Sequence, residues 1–119
     1  MNKETQIINE LKHNTGTEHY FKIPFSDLVY TDGINDLINR CGSWWLISDL
    51  GIEISQNPKL QKPFLLVRVE VKDGKGKITL REDSNLKPIF TKDYEYTDFP
   101  LSKFEFYICD KVILLKEEY

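Results

Sequence analysis

Between Gln56 and Leu65 the hydrophobic period of this chain changes from that of a helix to that of a strand. Upstream, Ile34, Leu37, Ile38 and Cys41 recur at the spacing that turns one helix face to a core. Downstream, Leu65, Val67, Val69 and Val71 alternate with Leu66, Arg68, Glu70 and Lys72. That is a strand whose far end is solvated on one face. Helices first and strands afterwards predict an α+β fold, with the N-terminal helices packed on one face of a four- to five-stranded, mainly antiparallel sheet. At 119 residues the chain has room for one core, so residues 1–119 are expected to form a single compact domain.

Local signals place the elements. Ile7, Ile8 and Leu11 predict a helix over 3–12, capped by Asn2 or Thr5 and ended by Asn14-Thr15-Gly16. Thr17 to Ile23 has strand character, which Pro24 ends. Thr31 or Asp32 caps a second helix, and Gly42 closes it where a left-handed residue is needed. Ser43 is placed to cap a third helix, about Trp44–Ser55, whose polar stripe is Asp49, Glu53 and Gln56. Asp73-Gly74-Lys75-Gly76 reads as a turn before a strand carrying Ile78 and Leu80. A short extended piece at Ile89–Thr91 leads toward another strand at Tyr94–Tyr96. Lys103–Cys109, a tight Asp110-Lys111 turn and Val112–Leu115 form the last hairpin.

Charge narrows the partners. The formal net charge is −3, and the basic residues are dispersed beside acids, as in Arg68-Val69-Glu70-Val71-Lys72-Asp73. A duplex-binding protein concentrates Lys and Arg to displace phosphate counterions, so nucleic acid is disfavoured. Lys72, Lys75 and Lys77 read as a solvated hairpin. Single-strand binding by aromatic stacking on the sheet meets the same objection from charge. No apolar run approaches the ~20 residues that span a bilayer, and no signal-peptide core precedes the first helix. A cytoplasmic, reduced protein without membrane contact is the expectation. Cys41 and Cys109 lie outside any CxxC or His/Cys ligand pattern, and the sequence leaves their redox state open.

The tripeptide Tyr-Thr-Asp occurs twice, as Tyr30-Thr31-Asp32-Gly33 and Tyr96-Thr97-Asp98-Phe99-Pro100, and an adjacent tryptophan pair, Trp44-Trp45, lies between the copies. Asp32 and Asp98 could share general acid–base work if the fold joined them. Helix capping by Asp32 and a turn fixed by Asp98 explain both without chemistry, and this structural reading is preferred. Tyr30 and Tyr96 are then expected to place their rings in the core and their hydroxyls at its margin. His13 and His19 are the only histidines, and a metal site would have to combine them with Cys41, Cys109 or carboxylates at no recognised spacing. No metal or cofactor is expected. Gly74-Lys75-Gly76 stands between strands rather than at a strand-to-helix turn, so it is no phosphate loop. Trp44 and Trp45 point about 100° apart on a helix. One can lie under the sheet while the other lines a groove or an oligomer contact, with packing in the core or at its margin preferred over a binding role.

Five segments carry a resemblance. They are Gly16-Thr17-Glu18-His19-Tyr20, Tyr30-Thr31-Asp32-Gly33, Trp44-Trp45-Leu46, Tyr96-Thr97-Asp98-Phe99-Pro100-Leu101 and Leu114-Leu115-Lys116-Glu117-Glu118-Tyr119. In order and spacing the chain resembles an uncharacterised family of small bacterial proteins found also on plasmids and other mobile elements, with a mild departure at Cys41-Gly42-Ser43. The resemblance implies one compact α+β domain in a cytoplasmic protein and brings no activity, cofactor or catalytic residue.

The residues favour a non-enzymatic protein that binds another protein, itself being the first candidate. Its contacts would come from Trp44 and Trp45 beside Tyr residues. The competing class is a small-ligand binder or hydrolase whose site joins His19, Tyr30 and Asp32 to Tyr96 and Asp98.

Overall fold

A computed structural model describes residues 3–119. Three helices, α1 (Lys3–Leu11), α2 (Asp32–Cys41) and α3 (Trp44–Gln56), accompany seven strands. The strands are β1 (Tyr20–Lys22), β2 (Val29–Thr31), β3 (Phe64–Lys72), β4 (Lys75–Arg81), β5 (Phe90–Tyr94), β6 (Lys103–Cys109) and β7 (Val112–Leu114). They form one mixed sheet in the order β1-β2-β7-β6-β3-β4-β5. The class is α+β as expected, but seven strands replace the four or five expected. β1 and β7 fall inside segments that the sequence marks as extended, whereas β2 does not, its three residues being too few for a period of two to show. β2 was hidden in what reads as the lead-in to α2.

The sheet is antiparallel except where β2 runs parallel to β7, with Val29 opposite Val112 and Tyr30 opposite Ile113. That pair joins the early β1–β2 hairpin to the C-terminal strands. Register puts Leu65, Val67 and Val69 of β3 beside Ile108, Phe106 and Phe104 of β6. On the other side, Val67 and Val69 meet Leu80 and Ile78 of β4. Ile7 and Leu11 of α1, Ile34 and Leu37 of α2, and Leu46, Ile47 and Leu50 of α3 are buried in the same core as these residues. Alternate positions face the other way and carry Arg68, Glu105 and Tyr107, so the sheet has one apolar and one mixed face.

Both long hairpins turn in two residues. Asp73-Gly74 and Asp110-Lys111 each have two consecutive positive φ values, 53° and 76°, then 48° and 70°. Such turns match the right-handed twist of the flanking strands. The first turn is therefore shorter than expected, and Gly76 lies inside β4, opposite Tyr94.

The helix ends decide between the expected caps. Thr31 is the N-cap of α2, its Oγ1 accepting from Ile34 N at 3.3 Å. Asp32 is the first helical residue instead. Gly42 closes the helix at φ 60°, as expected. Ser43 makes no side-chain cap bond to α3, and its Oγ is buried without a partner among the described residues. Asn2 lies outside the described residues, and Thr5 falls within α1 rather than at its cap.

Candidate functional site

The first Tyr-Thr-Asp copy is a structural knot at the start of α2. Asp32 accepts backbone N–H bonds from Glu18 at 2.8 Å and His19 at 2.9 Å, and its other oxygen lies 3.3 Å from His19 Nδ1. The Glu18 bond, outweighing some desolvation, leads in holding the Asp32 carboxyl below the usual carboxylate range. Glu118 then reaches across from the C-terminal turn. Its carboxylate accepts from Thr31 Oγ1 at 2.6 Å, Gly33 N at 3.1 Å, Leu115 N at 2.9 Å and Thr17 Oγ1 at 3.0 Å. A carboxylate there meets both orphaned N–H groups and the positive end of the helix. Gly33 is required by this approach, because a Cβ at that position would stand 2.3 Å from Glu118 Oε1.

The second copy takes different surroundings. Thr97 Oγ1 accepts from Phe99 N at 3.1 Å, and Thr97 N donates to Gly74 O at 2.8 Å. The Thr97 side chain fills the place where Gly76 would carry a Cβ, at 3.0 Å. Thr97, rather than Asp98, makes the side-chain bond of this turn. Phe99 is buried in the core, whereas Tyr96 is 79 % exposed, so its ring is not a core ring. Tyr30, 7 % exposed, is one.

The tryptophan pair touches both regions. Trp44 sits edge-on to Tyr30 at 5.8 Å between ring centroids, and Trp45 packs on Tyr94 at 5.1 Å and on Phe99 at 6.4 Å. Trp44 is 43 % exposed and Trp45 is half-buried. Trp45, Asp49 and Glu53 recur every fourth residue on α3, forming a stripe along edge strand β5. The Tyr94 hydroxyl donates to Asp49 Oδ2 at 2.7 Å. The Lys92 ammonium lies 3.3 Å from Glu53, 3.6 Å from Asp49 and 5.6 Å from the centre of the Tyr94 ring. Burial first, then the adjacent Asp49 carboxylate, raises the Tyr94 phenol far above its ordinary pKa, so it remains a donor.

These groups wall a cleft of about 310 Å³ lined by Trp45, Asp49, Tyr94, Tyr96, Thr97 and Asp98. Three residues singled out from sequence, Trp45, Tyr96 and Asp98, come together here. His19, Tyr30 and Asp32 do not line this cleft. Four strands stand between β2 and β5 in the sheet. Sequence reasoning missed Asp49, Tyr94, Lys92 and Glu118 as interacting groups. The fourfold spacing of Trp45, Asp49 and Glu53 was visible, but its mate lies about 40 residues away, on β5.

Both thiols are free, Cys41 buried and Cys109 half-buried. Burial pushes the Cys41 thiol up to about 11 and raises that of Cys109, the reverse of what an activated nucleophile requires. Among the described residues, no group of three or more His, Cys, Asp or Glu is placed to hold a metal, and no helix is long and apolar enough to cross a membrane.

The fold defines an α+β protein built on a seven-stranded mixed sheet, with an aromatic and acidic cleft at its β5 edge. The chain belongs to DUF6876, a family of unknown function, whose model matches residues 5–119. Comparison with curated proteins and with solved structures finds no significant match.

Proposed function

We propose that this chain is a small non-enzymatic adaptor or regulatory protein, working in the cytoplasm of a bacterium or on behalf of a mobile element, that acts by binding another protein. The observation that carries the reading is the cleft at the β5 edge, where half-buried Trp45 and Tyr94 stand beside exposed Tyr96. Tyrosine and tryptophan are enriched at the centres of protein contacts, because they bury large area at low entropic cost and keep a polar handle. The reading takes the helices as a layer over the apolar face of the sheet, which leaves the cleft open at the layer's edge. Partner capture requires no activated group, in keeping with two thiols whose pKa values are raised.

The test is affinity capture from the native host with wild type, Trp45→Ala and Tyr96→Ala, followed by light scattering of the eluates. Tyr96→Ala is the cleaner variant, since that side chain is largely exposed and its loss leaves the core intact. A specific partner, or a dimer, that both variants lose supports the reading. Unchanged partners and unchanged mass in both variants overturn it.

A further inference from the structure

Resting on the partner-binding reading, we infer that the β5-edge cleft receives a cationic side chain, arginine or lysine, carried by the bound protein. Its walls are of two kinds. Trp45, Tyr94 and Tyr96 supply aromatic faces, and Asp49 and Asp98 supply carboxylates. An organic cation is attracted to both, electrostatically by the ring quadrupole and directly by the acid. Neutral aliphatic side chains satisfy only the rings, and acidic ones are repelled.

The cations already present set what is left over. Asp49 and Glu53 share the Lys92 ammonium, which also sits over the Tyr94 ring. Asp98 is exposed and has neither an ion pair nor a hydrogen bond among the described residues. The unmatched elements are thus one carboxylate, one exposed tyrosine ring and the open side of Trp45. The nearby lysines do not fill that place. Lys75 and Lys77 flank Gly76 on β4, and alternation turns them to the face opposite Gly76 and Tyr94. Fixed rings favour the interaction, because Tyr94 is held by Asp49 at 2.7 Å and Trp45 is wedged between Tyr94 and Phe99. The volume of about 310 Å³ exceeds the ~150 Å³ that holds benzene in an engineered cavity, so a guanidinium or butylammonium head has room.

The test follows the Trp45 indole N–H by NMR, assigned with Trp44→Phe. Probes are capped Gly-Arg-Gly and Gly-Lys-Gly, their uncharged citrulline and norleucine counterparts, and free butylguanidine. The expected result is a saturable shift with the cationic peptides and none with the uncharged ones. Asp98→Asn should weaken that binding roughly five- to tenfold, and Tyr96→Ala should abolish it. Equal shifts from uncharged peptides, no shift from any peptide, or an unaffected Asp98→Asn overturn the cation assignment. Butylguanidine binding much more tightly than Gly-Arg-Gly overturns the protein-borne source. Capture from the host separates this inference from the reading beneath it. A partner lost with Tyr96→Ala but kept with Asp98→Asn leaves partner binding standing and removes the cation, whereas a partner indifferent to both removes the two together.

Discussion

Ser43 shows how a single residue departs from its local signal. A serine between a helix-closing glycine and an apolar helical run has the composition of an N-cap. Its φ of −114° and ψ of 39° lie outside the extended region that N-caps adopt, and the hydroxyl gains no backbone bond. The side chain is instead fully buried, under the start of α3, with Oγ unpaired. A buried hydroxyl without a partner costs roughly 1–3 kcal/mol in desolvation. What this position needs is small size. Ser43→Ala keeps the size and removes the penalty, so it is expected to raise unfolding free energy by about 1 kcal/mol. Urea denaturation of the two proteins decides it, and a loss of 1 kcal/mol or more would restore the capping role.

Among elements, the joint between α2 and the C-terminal turn is where distant parts of the chain meet. The turn at Lys116–Glu118 supplies Glu118, and α2 supplies Thr31 and the N–H of Gly33, with Thr17 as a fourth arm. In an isolated helix alanine is preferred to glycine by about 1 kcal/mol. Here Gly33→Ala should instead destabilise, by about 2 kcal/mol, because its Cβ displaces the Glu118 carboxylate and strands charge-assisted bonds. Glu118→Ala removes the same bonds from the other side. The pair is therefore expected to be non-additive, the double variant losing less than the sum of the two, with the remaining Gly33→Ala cost set by the Leu115 methyl 2.7 Å from the same Cβ position. Additive losses in thermal or urea melts would mean that Gly33 and Glu118 do not act through this contact. None of this joint was legible beforehand, since Gly33 and Glu118 are 85 residues apart. By contrast, α2, α3 and the β3–β4 and β6–β7 hairpins could be read from the chain, because their periods, turns and the Gly42 ending are local. β2 could not, having three residues and a partner, β7, more than 80 positions away. The cleft was half legible for the same reason. Trp45, Tyr96 and Asp98 stand out by type, whereas Tyr94 and Lys92 gain meaning only when β5 is laid against Asp49 and Glu53.

Across the whole molecule, the C-terminal turn ties the start of α2 to the mixed face of the sheet, and its ion pairs give stability a particular dependence on pH. Glu118 reaches Thr31 and Gly33, while Lys116 Nζ reaches Glu105 Oε1 at 2.7 Å on the mixed face. The other oxygen of Glu105 accepts from Arg68 Nε at 2.6 Å. Tyr119 lies edge-on to Phe64 and Tyr107 beside this triad. Burial pushes the Glu105 carboxyl up, but its bonds to Lys116 and Arg68 together outweigh burial and hold it below the ordinary glutamate range. Asp32, bonded by the Glu18 N–H, is lowered as well. A carboxyl with a folded pKa below its unfolded one is deprotonated more readily in the native state. Its stabilisation is therefore complete above the unfolded value and disappears as pH falls through the folded one. Unfolding free energy should accordingly be flat near neutrality and decline below about pH 4.5. Glu105→Gln should cost about 1.5–3 kcal/mol at pH 7 through lost charge-assisted bonds, and its acid limb should be shallower. Wild type and variant are then expected to converge as pH falls through the lowered folded pKa of Glu105, below which the residue is protonated in both states of the wild type. Urea melts from pH 7 to pH 3 read this directly. A gap that stays constant across that range would show that the Gln substitution acts through packing rather than through the charge of the triad.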